Sequence, residues 1–81
     1  MPKKPTTDQM IIMDRLHRGE PVDAKEYATW DGEPHIILSF GSHVEPDGCV
    51  VCHRAFERVD LPGHHLYEIY RIHPSGHPER I

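Results

Sequence analysis

The sequence predicts a small α+β domain, one or two N-terminal helices packed on a short antiparallel sheet, and three observations carry that prediction. A capped amphipathic segment lies near the N-terminus. Runs rich in β-branched and aromatic residues follow, separated by Pro and Gly. The chain is also only 81 residues long, which is one domain. That length excludes a (β/α)₈ barrel or a two-half dinucleotide-binding sheet. A chain of this size buries only about 60% of its unfolded surface, so the thin core calls for a staple.

Residues 1–5 read as a flexible tail and 6–81 as one domain, divided into a helix/strand half (6–42) and a hairpin half (43–81). Thr6 and Gln9 have capping-box spacing, and Asp8 suits the first turn of a helix. Met10, Ile12, Met13 and Leu16 form an apolar stripe, and Gly19 and Pro21 stop the segment. A helix over residues 7–18 is expected, with Met10, Met13 and Leu16 buried. Asp23 can cap a short second helix ending near Trp30, which would give helix–turn–helix spacing. The competing reading makes Tyr27–Trp30 a strand, with Asp31-Gly32 as a hairpin turn. His35–Phe40 reads as a strand ended by Gly41-Ser42. Ala55–Val59 and Leu66–Ile72 read as a hairpin joined through Leu61–His65.

Composition narrows the class. No apolar run approaches the ~20 residues needed to cross a bilayer, and the basic start is not followed by an apolar signal segment. The expectation is a cytoplasmic chain with no membrane partner and no evident small-molecule substrate. Acids outnumber Lys and Arg by 13 to 9. The whole excess falls in residues 31–48, where Asp31, Glu33, Glu45 and Asp47 meet no Lys or Arg. An acidic middle favours a partner with a basic surface, and no basic stripe marks a nucleic-acid domain.

The C-terminal half concentrates metal-type residues. Cys49-Val50-Val51-Cys52 follows the Asp47-Gly48 turn, and His73-Pro74-Ser75-Gly76-His77 follows the last long run. A tetrahedral zinc ion takes four N or S ligands, each pair offered by one compact turn. In a reducing compartment a C-x₂-C pair points to metal or redox chemistry before a disulfide. Zn²⁺ held by Cys49, Cys52, His73 and His77 is therefore the expected staple, with His64 and His65 as alternate ligands and His43 and His53 behind them. His17 and His35 stand outside the cluster. Over residues 49–77 the spacing resembles a zinc ribbon or zinc finger in the broad sense, which implies a site type and no particular family. A closed four-ligand site leaves no position for substrate, so the metal would be structural and the protein not an enzyme.

Other chemistries fit less well. Cys49–His53 matches the C-x-x-C-H haem-attachment motif, but no export signal accompanies it. A ββα-metal nuclease would use His64 or His65 as general base, yet the chain contains no Asn and leaves no room for a closing helix after Ile72. Three functions follow, in order. The first is a structural-zinc protein that binds another protein, for example a nucleic-acid machine, as its regulator or inhibitor. The second is a nucleic-acid-binding transcriptional regulator using a helix–turn–helix or finger-like surface. The third is an HNH-like nuclease.

Overall fold

The structure is a computed structural model that describes residues 4–30, 32, 35–60 and 62–81. Helix α1 spans Thr7–His17. Its capping box is complete: the Gln9 amide donates to Thr6 Oγ1 at 3.1 Å, and the Thr6 amide donates to Gln9 Oε1 at 2.8 Å. Gly19 follows it with φ +77°, and a Cβ there would sit 2.5 Å from the His35 carbonyl oxygen. Only glycine meets both demands.

The buried face of α1 corrects the expectation. Leu16 is buried and Ile12 and Met13 are partly so, but Met10 is 58% exposed and Gln9 takes the inward position. Gln9 Nε2 donates to the Gly48 carbonyl at 2.8 Å and to that of Ile72 at 2.9 Å. Two buried backbone acceptors thus rotate the helix away from its most apolar stripe, because leaving them unpaired costs more than exposing one methionine.

Helix α2 is a single turn, Ala24–Tyr27, capped by Asp23, which accepts from the Glu26 amide at 2.8 Å. The short-helix reading holds, although the helix ends before Trp30. Asp31, of the alternative hairpin turn, lies outside the described residues.

Four strands follow as an antiparallel meander in the order β1-β2-β3-β4: Ile36–Val44, Val50–Glu57, His65–Ile72 and Pro78–Arg80. β1 does not stop at Gly41-Ser42. Gly41 pairs with His53, whose ring lies where a Cβ would be (2.4 Å), so glycine continues the strand here instead of ending it. β2 also starts earlier than expected. Cys49 closes the first turn, but Val51 and Cys52 are strand residues, and the anticipated Cys49–Cys52 knuckle is not a turn. Both helices lie on one face of the sheet. There Leu16, Val22, Val50, Cys52, Tyr70 and Ile72 form the core.

Candidate functional site

Two hairpin turns of the same design stand at one end of the sheet. Glu45-Pro46-Asp47-Gly48-Cys49 closes with the Glu45 amide donating to the Cys49 carbonyl at 2.8 Å, and His73-Pro74-Ser75-Gly76-His77 repeats this bond at 2.9 Å. Gly48 and Gly76 supply the positive φ, +92° and +91°. The N-terminus of α1 rests on both turns, through Gln9 on the Gly48 carbonyl and through Thr6 Oγ1, which donates to the Pro74 carbonyl at 2.8 Å.

The β2–β3 register pairs Val50 with Ile72, which brings Cys49 beside His73, with Sγ 3.7 Å from Nδ1. Two ligands of one tetrahedral zinc sit roughly 3.5 Å apart, given bonds of about 2.3 and 2.0–2.1 Å, so this pair has ligand-like spacing. The other ring nitrogen of His73 faces Glu79 Oε2 at 2.8 Å, and the His73 and His77 rings stack at 5.9 Å. Cys52 does not join them. It lies three residues along an extended strand, so it faces the opposite side, at 1% exposure beneath the helices. His64 and His65 are exposed at the other end of the sheet, in and after the β2–β3 connection. Among the described residues, no three His, Cys, Asp or Glu side chains converge closely enough to hold an ion.

Neither thiol is activated. Burial, then the Asp47 carboxylate, hold Cys49 above its ordinary value, and burial pushes Cys52 up to about 11. Nucleophilic cysteines need the opposite shift.

The densest chemistry lies farther along the same two strands, and the motif search did not reach it. Arg54 is 2% exposed and uses every donor of its guanidinium. Nε donates to Glu68 Oε1 at 2.8 Å, Nη1 to the carbonyls of Leu16 (3.1 Å) and Glu20 (2.8 Å), and Nη2 to Glu26 Oε2 at 3.1 Å. Nη2 also lies 2.8 Å from Glu68 Oε1. The Tyr70 hydroxyl donates to Asp23 Oδ2 at 2.8 Å and also bonds Glu26. One residue thereby ties the end of α1, the α1–α2 loop, α2 and two strands together. Among the described residues, no buried side-chain polar atom is left unpaired.

These groups shift one another. Burial, with Glu26 hydrogen-bonded beside it, raises Glu68 to about 7 against the pull of Arg54. Asp23 goes the other way: burial raises it, but the Glu26 amide and the Tyr70 hydroxyl outweigh that and hold it low. Burial and its two carboxylate partners push the Tyr70 hydroxyl well up.

Beside this network opens a cleft of about 300 Å³ between the α2 segment and the sheet. Trp30 and Phe56 form its aromatic walls, and Lys25, Arg58 and Arg80 carry positive charge at it. A sequence signal for the floor did exist. In Val50-x-Cys52-x-Arg54-x-Phe56 and Leu66-x-Glu68-x-Tyr70-x-Ile72 the period of two places a cation and an anion on the buried face.

The structure also bears on the runner-up readings. α2 has four residues, too few for a recognition helix. After β3 the chain forms β4 where a ββα nuclease needs a helix. Arg18, Arg54, Arg58 and Arg80 all engage this chain's own carboxylates. No helix among the described residues is long and apolar enough to cross a membrane.

Fold and site define a small α+β domain: a four-stranded antiparallel meander with both helices on one face, and an ion-paired cleft beside the second helix. Compared with known proteins, the chain matches no family model, no curated protein and no solved structure.

Proposed function

We propose that the protein is a protein-binding regulator that takes an extended, basic segment of its partner along the outer edge of β1. The observation that supports this reading is the edge itself. Among the described residues, β1 is nine residues long and pairs on one side only, with β2, its register broken once between Ile37 and Ser39. Folded proteins usually blunt such an edge with Lys, Pro, inward charge or a bulge. Residues 36–44 contain no Lys, Arg, Asp, Glu or Pro, and Ile36 and Leu38 are 54% and 46% exposed.

The strand's flanks carry the other half of the reading. Asp31 and Glu33 precede it in sequence and Glu45 and Asp47 follow it, without a compensating cation from 31 to 48. An added strand would draw affinity from main-chain hydrogen bonds and specificity from pockets for alternate side chains. A shallow groove lined by Met10, Met13, Asp14, His17 and Phe40 lies beside β1 to receive them. Acidic flanks favour a basic segment in encounter and register.

The test is a titration of isotope-labelled protein with two extended peptides of alternating apolar residues, one flanked by Lys and Arg, the other by Asp and Glu. The basic peptide is expected to shift the β1 amides, and Leu38→Lys, a change at an exposed position, to abolish the shift. Equal binding of both peptides, or shifts that ignore Leu38→Lys, would remove the support for this function.

A further inference from the structure

We propose that the cleft between α2 and the β2–β3 face is a second, separate site that binds a small aromatic anion, a planar ring carrying a carboxylate or a phosphate. Its volume of about 300 Å³ falls at the small end of ordinary ligand sites, which run from about 300 to 1,000 Å³. Such sites pair apolar walls with a few convergent polar groups. Here the aromatic walls come from two different places in the fold: Trp30 after α2 and Phe56 on β2. Aromatic walls of this kind favour a ligand with a flat ring.

Charge sets the rest of the ligand. Lys25, Arg54, Arg58 and Arg80 line the cleft against Glu26 and Glu68, an excess of two positive charges from four cations and two acids. Arg54 is spent on internal bonds and Arg58 lies against Asp60 at 2.7 Å. Lys25 is exposed on α2, and Arg80 meets Glu68 only at 3.4 Å with about half its side chain in solvent. These two can turn toward an anion without breaking the floor. The raised Glu68 adds to this, since its protonated form subtracts nothing from the positive excess and offers a hydrogen-bond donor.

Trp30 is the sole tryptophan, so its indole N–H is a single reporter inside the cleft. The experiment follows that resonance and the amides of residues 25–30 and 66–68 while adding adenosine 5′-monophosphate in one arm and 2-naphthoate in the other. Adenosine and 2-naphthalenemethanol are the neutral controls. Saturable shifts with at least one anion are expected, and the arm that binds identifies phosphate or carboxylate as the preferred group. The matched neutral compound should bind about tenfold weaker or worse, a loss of ~1.4 kcal/mol. Lys25→Glu should weaken the anion by a similar factor with an unchanged melting curve, and Lys25→Gln should fall between. The proposal is overturned if neither anion gives a saturable shift, if the neutral control binds equally well, or if both Lys25 variants bind as the wild type does. The β1-edge peptide reports on other amides, so failure of one site leaves the other intact.

Discussion

Strands β2 and β3 meet in two places of very different character, and both are made of residues that attract attention as chemistry. At the turn end Cys49 faces His73, with Glu79 behind. Toward the middle Arg54 faces Glu68, with Glu26, Tyr70 and two backbone carbonyls around them. The first pair belongs to a conspicuous spacing motif, yet of its four expected ligands Cys49 and His73 alone have ligand-like spacing among the described residues. The second belongs to no motif, yet it gathers five segments of the chain on one side chain. Spacing along a strand says which face a residue occupies, and C-x₂-C on an extended chain puts its two cysteines on opposite faces. Alternation, by contrast, delivers Arg54 and Glu68 to the same buried face. In this fold the unmarked pair is the staple.

The largest way to break that comparison is Arg54→Met. It strands Glu26 and Glu68 and frees the carbonyls of Leu16 and Glu20. Removing one partner of a buried ion network costs about 3–5 kcal/mol, so urea denaturation should show most of the domain's stability gone. His73→Ala removes one exposed ion pair with Glu79 and should leave the urea transition nearly where it was. If the two variants lost equal stability, the turn end would hold the fold as firmly as the interior.

Helix α1 offers the next contrast. Leu16→Ala should cost about 2–5 kcal/mol through lost burial and a cavity. Gln9→Ala should cost about 1–3 kcal/mol by leaving two buried carbonyls unpaired. Met10→Ala, on the exposed stripe, should stay within about 0.5 kcal/mol. A Met10 effect as large as that of Leu16 would mean that the apolar stripe, not Gln9, faces the sheet.

Glu68 sharpens the comparison through pH. Its carboxyl titrates near 7 in the folded chain against an ordinary 4.5, so folding favours the protonated form. The stability it contributes is whole below about pH 4.5 and is lost as pH rises through about 7. Glu79 at the turn end is held low by the His73 ring. Its contribution runs oppositely, present above its ordinary range and lost in acid. Thermal melts should therefore show stability falling between about pH 5 and pH 8 in the wild type, and a flatter profile in Glu68→Gln. An unchanged slope in that variant would assign the pH dependence elsewhere.

The smallest effect concerns zinc. A site of four ligands needs both cysteines, whereas the geometry offers Cys49 and His73 together and keeps Cys52 in the core. Cys52→Ser buries a hydroxyl and should cost about 1–3 kcal/mol while leaving zinc affinity, measured by competition with a chromophoric chelator, where it was. Cys49→Ser and His73→Ala are expected to be the substitutions that change it. Parallel loss of zinc in both cysteine variants would restore the four-ligand staple.

By itself the sequence determined the local elements: the Thr6–Gln9 capping box, the stop at Gly19, the short turn after Asp23 and the β character of Leu66–Ile72. Each rests on hydrogen bonds and backbone angles that neighbours a few residues apart decide between them. Tertiary structure decided what those elements face. Gly41 continues a strand because the His53 ring of the next strand fills its missing side chain. Met10 stays outside because Gln9 finds carbonyls 39 and 63 residues away. Cys52 lies under the helices while Cys49 meets His73, and Arg54 finds four partners from across the chain: Leu16, Glu20, Glu26 and Glu68. Buried polar groups must be paired wherever their partners lie, and that requirement joins distant segments that no local spacing can connect.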